Sequence, residues 1–227
     1  MIKVENVDVW GFEHAIRGMR NPMNSWDKSD SVFEDYVPDY EMDTAVTVPC
    51  LKIGKNDLDL MQRLYKAGTE HRKYLRQIFV SMDITAPLYW WKEFDTYKIG
   101  TVANSCSTMH KIHAKEFTLD DFSYEHLTDG AREALKTVIE RLNMARKYYN
   151  RKIDNADCGM HWQDYWWDMI QLLPSSYNQK RTITMNYENV MNMIHQREHH
   201  KLDEWIMFVE NLKKLPYVKD IRGEVNG

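Results

Sequence analysis

The sequence predicts a helix-rich α+β chain, a single domain over residues 1–227 with a small mixed or antiparallel sheet. Three observations carry this expectation. Most apolar residues recur at helical spacing, as in Leu135, Val138, Ile139, Leu142 and Ala145. Only two stretches alternate with period two, Ile2–Val9 and Ile78–Ile84. A chain of 227 residues that is 43% hydrophobic and 28% charged can build one core under a charged surface.

Each element follows from its own pattern. Ile2, Val4, Val7 and Val9 predict an opening strand. Phe12, Ala15, Ile16 and Met19 share one face of a helix that stops near Asn21-Pro22, because the residue before proline resists helical backbone. Residues 24–50 are polar and acidic, carry Pro38 and Pro49, and predict a loop. Asn56 or Asp57 can cap a helix over 57–75, with Leu60, Met61, Leu64 and Tyr65 inward. Ile78, Val80, Met82 and Ile84 form the second strand, ending at Pro87, and residues 88–98 predict a short aromatic helix. Residues 99–108 are small and polar, which predicts a loop suited to touching a ligand. Further helices are expected over 131–150, over 161–173 up to Pro174, from Asn186 or Tyr187 onward, and over 202–213.

Composition excludes several functions. Glycine is scarce, at 9 residues, and the closest pair is Gly223 and Gly227. Neither the G-x-G-x-x-G turn nor the P-loop can be written, so a nucleotide would be held by side chains. The formal charge of −4 argues against a nucleic-acid partner. No apolar run approaches a membrane span, and the N-terminal residues lack a signal-peptide pattern. Cys50, Cys106 and Cys158 form no C-x-x-C, which predicts a reducing, cytoplasmic setting.

Three motifs bear on chemistry. His195-Gln196-Arg197-Glu198-His199 fits H-x-x-E-H, the spacing by which two imidazoles on one helix face meet zinc beside a carboxylate base. It reads more simply as an exposed polar helix end, because no third ligand singles itself out. Cys106, in the loop Asn104–Ser107 with His110 and Lys111 nearby, is a candidate thiolate and equally a small loop residue. Lys180-Arg181 after Pro174, followed by Asn186, Asn192 and Arg197, suits a groove that several faces reach. On one helix, offsets of 6 and 5 residues do not make a single stripe.

Taken in order, these segments resemble the flavin-dependent thymidylate synthases, the thymidylate-synthase-complementing family. The resemblance spans Val7–Phe12; Gly68–Gln77, where His71 keeps the family's histidine while Arg76 and Gln77 replace a later pair; and Pro87. It continues in the signature R-H-R-x-x-S-x-N-x-x-S-x-R. There Lys98, Thr101, Asn104 and Ser107 keep matching chemistry, whereas Thr96, Tyr97 and Met109 depart from it. It is sharpest at Leu173-Pro174, Lys180-Arg181, Asn186, Asn192, Arg197, His200 and Trp205.

The resemblance implies a homotetramer that binds FAD and converts dUMP to dTMP, with methylenetetrahydrofolate and NADPH as co-substrates and no cysteine nucleophile. It assigns His71, Tyr97, Lys98, Thr101, Asn104, Asn186 and Asn192 to the cofactor, and Ser107, Lys180, Arg181 and Arg197 to the substrate. Arg197 is the catalytic residue, polarising a uracil carbonyl. The departures in the signature point to two alternatives: another pyrimidine nucleotide as substrate, by hydroxymethylation for instance, or a noncatalytic nucleotide- or flavin-binding protein. A zinc hydrolase through His195, Glu198 and His199 is a further one.

Overall fold

The computed structural model describes residues 2–33, 51–155, 157 and 159–224. Cys50, Cys158 and the stretch 34–50 of the expected acidic loop lie outside the described residues.

The opening strand, β1 (Lys3–Trp10), explains a slip in its own pattern. The apolar residues sit at even positions up to Val4 and at odd positions from Val7. Asn6 between them takes a left-handed φ of 50°, which absorbs the extra residue. Gly11 follows at φ 97°, and a Cβ there would stand 2.1 Å from the Gln77 carbonyl oxygen, so the turn needs glycine. Helix α1 (Phe12–Arg20) buries the four apolar residues expected of it and gives way to a 3-10 turn at Asn21–Met23.

Two-residue strands β2 (Val32–Phe33) and β3 (Leu51–Lys52) pair antiparallel. Helix α2 runs Lys55–Lys66, shorter than the expected 57–75. Gly68, at φ 101°, turns the chain, and Lys73–Gln77 forms a separate 3-10 turn. The capping expectation also changes. Asp30 accepts from the backbone N–H groups of Asn56 and Asp57 at 2.9 and 3.1 Å. Asp57 is fully buried and accepts from Arg20 Nε at 2.6 Å, from the Ser29 and Ser31 hydroxyls, and from the Asp30 and Ser31 N–H groups. Burial pushes the Asp57 carboxyl up. Hydrogen bonds from Ser31, Ser29, Arg20 and Asp30 outweigh it and hold the group below the usual carboxylate range.

Strand β4 (Phe79–Pro87) buries Val80, Met82, Ile84 and Ala86 in strict alternation and leads into α3 (Leu88–Phe94). Residues 101–105, expected as loop, are strand β5 (Thr101–Ser105), followed by a short helix α4 (Thr108–Lys111). Small polar side chains weaken strand propensity but leave the backbone free to pair at a sheet edge. Helices α5 (Asp129–Arg151) and α6 (Asp164–Gln171) match expectation closely. Strand β6 (Asn178–Asn186) was not expected, although Gln179, Ile183 and Met185 bury alternate positions. Helices α7 (Tyr187–Arg197) and α8 (Asp203–Lys213) follow, with a further short helix α9 (Val218–Arg222).

The fold is thus helix-rich α+β, with one four-stranded antiparallel sheet ordered β1-β4-β6-β5. Hydroxyls of Thr182 and Thr184 meet Asp83 and Ser81 across β6 and β4, so the two strands run in opposite senses. The chain gathers into two compact units that interleave in sequence. Of the described residues, the larger holds 2–33, 51–84, 95–104 and 182–224, and its core includes Leu75, Ile78, Ile183, Met185, Met191, Trp205 and Phe208. The smaller holds 85–94, 105–155, 157 and 159–181. Its core packs Leu135, Ile139 and Leu142 of α5 with Tyr165 and Met169 of α6 and with Phe117 and Phe122. Trp90, Trp91 and Phe94 of α3 are buried and pack against one another. Among the described residues, no helix is long and apolar enough to cross a membrane.

Candidate functional site

In the larger unit the geometry centres on Arg197, the last residue of α7. Its Nε donates to the Tyr97 hydroxyl at 3.0 Å, and that hydroxyl donates to Gln196 Oε1 at 2.8 Å. The guanidinium lies 4.7 Å from the centroid of the Trp205 indole, which is completely buried on α8, and 5.7 Å from the Tyr97 ring. A cation over an indole gains about 0.5–2 kcal/mol, more as water is excluded. Tyr97 and Trp205 also meet edge-on, with ring centroids 6.0 Å apart. The Arg197 guanidinium is therefore fixed at its inner nitrogen and across its face. Such fixing is what a donor fork needs if it is to stabilise charge on a bound ring.

The asparagines are oriented by their own helix. Asn186 Oδ1 caps α7, accepting from the Asn189 N–H at 3.1 Å. Asn192 Oδ1 accepts from Arg72 Nη2 at 3.1 Å. With both oxygens engaged, each residue presents its Nδ2 hydrogens, which suit a carbonyl or ring-nitrogen acceptor. Asn189, which the sequence reading missed, donates to the Ile99 carbonyl at 2.7 Å and to Thr101 Oγ1 at 2.9 Å. Gly100 between them sits so near that a Cβ would lie 2.5 Å from Asn186 Nδ2. Thr101 and Asn186 are thus brought together at the start of α7. Asn186 was legible as a helix cap, because Asn is a favoured N-cap residue, whereas the side-chain bonds of Asn189 were not.

Arg72 was also missed. Its Nε and that of Arg76 reach the two oxygens of buried Glu188 at 3.0 and 2.8 Å. His71 is exposed in the turn just before Arg72, and Lys98 and Asn104 are exposed on the stretch that carries Thr101.

In the smaller unit, Arg181 repeats the Arg197 pattern. Its Nε donates to Gln179 Oε1 at 2.9 Å, and its guanidinium lies 4.2 Å over the Trp91 ring. Trp91 Nε1 in turn donates to the Gln179 carbonyl at 2.9 Å. The Lys180 carbonyl accepts from the Cys106 N–H at 2.9 Å, which places this end of β6 beside Cys106 and Ser107. Ser107 Oγ caps α4 by accepting from the His110 N–H. The Cys106 thiol is exposed.

The zinc arrangement does not form. Helix α7 ends at Arg197, so His195 and His199 do not share a helical face. Glu198 lies toward Lys213 and Arg222, at 4.0 and 3.7 Å. Among the described residues, no group of three potential metal ligands comes together.

No family model matches this chain, and no curated protein matches it. Solved structures do. A structure of Thymidylate Synthase X (ThyX) from Helicobacter pylori with FAD and dUMP is 13% identical at TM-score 0.63, covering 99% of this chain and 97% of that one. A second flavin-dependent thymidylate synthase ThyX structure from Helicobacter pylori, complexed with FAD and dUMP, is 14% identical at TM-score 0.62, covering 97% of each chain. A UMP/dUMP methylase PolB from Streptomyces cacaoi, bound with 5-Br dUMP, is 15% identical at TM-score 0.61, covering 99% of this chain and 94% of that one. The chain has the fold of these proteins, end to end.

Proposed function

We propose that this protein is a flavin-dependent enzyme that methylates dUMP to dTMP, with methylenetetrahydrofolate as one-carbon donor and NADPH as reductant. We place it in the cytoplasm as a homotetramer. The observation that carries this reading is Arg197, held by Tyr97 and Trp205 in a fold shared with structures containing FAD and dUMP. The donor set suits the ligands. Asn186 and Asn192 offer oriented N–H groups to an acceptor-rich ring, and Lys98, Lys180 and Arg181 offer cations where glycine cradles are lacking.

Bound FAD would supply the two-electron reduction that turns a transferred methylene into a methyl group. This chain's residues bind, orient and polarise. His71, Lys98, Thr101, Asn104, Asn186 and Asn192 hold the cofactor, and Tyr97 reaches it through its ring while its hydroxyl serves Arg197. Ser107, Lys180 and Arg181 hold the nucleotide. Arg197 donates to a uracil carbonyl, where negative charge builds as the ring carbon becomes nucleophilic.

Titration with FAD tests the reading. A yellow complex that converts dUMP to dTMP with methylenetetrahydrofolate and NADPH supports it, and protein that stays colourless at saturating FAD overturns the cofactor assignment. Met109, exposed where the resemblance expects an arginine, favours a second reading in which the nucleotide or the added group differs. The product mass separates methylation from hydroxymethylation, and rescue of a thymidine auxotroph rejects this alternative.

A further inference from the structure

The second half of α5 is the most basic stretch of an otherwise acidic chain. Residues 141–152 read RLNMARKYYNRK, with five cations and no acid, in a protein of formal charge −4. Asn143, Arg146, Lys147, Asn150 and Arg151 recur at helical spacing on one face and line, with Glu116, a groove of about 540 Å³ in the smaller unit. Small-molecule sites commonly occupy about 300–1,000 Å³, which suits a compact ligand here.

The groove wall is built. Asn143 grips the Phe117 backbone from both sides, accepting from its N–H at 2.9 Å and donating to its carbonyl at 2.8 Å. Asn150 donates to the His113 carbonyl at 3.0 Å. These bonds hold residues 113–117 against the helix. Arg146 lies between them, about four-fifths buried, with no partner for its Nε. Its terminal nitrogen stands 3.8 Å from Glu116, beyond hydrogen-bond distance, and Glu116 is 70% exposed. Three cations therefore face one loosely engaged carboxylate. Offsetting the helix dipole accounts for Arg151 in the last turn, but that effect fades within a turn and does not account for Arg146 or Lys147.

We propose that this face of α5 binds a small, multiply charged phosphate ligand of the pyrophosphate or nucleoside polyphosphate class. A guanidinium fork beside ammonium point charges matches adjacent phosphate oxygens better than it matches a single carboxylate. The site is independent of the chemistry proposed around Arg197.

Calorimetric titration of the full chain with sodium pyrophosphate tests this. One ion binds per chain, and affinity falls at least tenfold as salt rises from about 0.01 M to about 0.15 M. Arg146→Gln with Lys147→Gln weakens binding at least tenfold. Glu116→Gln, an exposed change that leaves the fold intact, tightens it at least twofold. Absence of pyrophosphate binding at low salt overturns the proposal. Unchanged affinity in the double variant overturns it as well, as does binding seen only with long single-stranded DNA, which would make the face a nucleic-acid surface.

Discussion

Arg197 shows how one side chain acquires an aim. Its Nε is committed to the Tyr97 hydroxyl and its face to buried Trp205, so rotation of the guanidinium would break a hydrogen bond and leave the indole. Replacing Arg197 by Ala is expected to abolish turnover while FAD affinity, read by titration, stays nearly unchanged. Loss of both together would assign Arg197 to the cofactor instead. Tyr97→Phe keeps the ring and removes the hydroxyl. A hydrogen bond to a charged group contributes about 1.5–3 kcal/mol, so kcat/KM is expected to fall by about 10- to 100-fold. A fall confined to thermal stability would show that Tyr97 only packs. Arg197 was singled out in the sequence by the family resemblance that it carries together with Asn186 and Asn192. The bond to Tyr97 was not, because the two residues lie 100 positions apart.

Among the elements, α1 and α2 are joined by a buried ion pair, Arg20–Asp57, with side chains 4% and 0% exposed. Removing one partner strands the other charge in the interior. Asp57→Asn is therefore expected to lower unfolding stability by about 3–5 kcal/mol, measured by urea denaturation. Because the folded-state pKa of Asp57 is depressed, its contribution is fully present above the ordinary carboxylate pKa of about 4. It is lost as pH falls through the lower folded value. The native protein should lose stability steeply below about pH 4, and the Asn variant less steeply. The turn between β1 and α1 depends on Gly11 in the same way. Gly11→Ala combines a left-handed φ with a clash against the Gln77 carbonyl, and is expected to cost at least about 1–3 kcal/mol. Sequence patterns located most of these elements, and missed those whose pattern was weak. Thr101–Ser105 looked like loop because its side chains are small and polar, yet a strand needs only backbone partners. The expected 57–75 helix ran through Gly68, whose left-handed backbone ends α2 early.

For the molecule as a whole, the scarcity of glycine bears on how the proposed nucleotide would be held. Neither Gly-rich cradle can be written, so in the proposed reading its phosphate falls to side-chain cations such as Lys98, Lys180 and Arg181, the last lying 4.2 Å over the buried Trp91 ring. The proposed homotetramer gives a direct check, since light scattering of the purified protein should report a tetrameric mass. A monomer that nonetheless binds FAD at full affinity would overturn it.

The amino-acid order by itself determined the helix-rich α+β class and the positions of α1, α5, α6, α7 and α8, because hydrophobic spacing is a local property of the chain. Tertiary structure alone decided that Arg72 and Arg76 share Glu188, and that Asn189 ties Thr101 to the start of α7. It also decided that Glu198 turns toward Lys213 and Arg222 rather than toward two histidines, and that Asp30 rather than Asp57 caps α2. Each of these links residues between 15 and 116 positions apart, and charge and hydrogen-bond partners at such separations are fixed by how the elements pack rather than by any spacing a sequence displays.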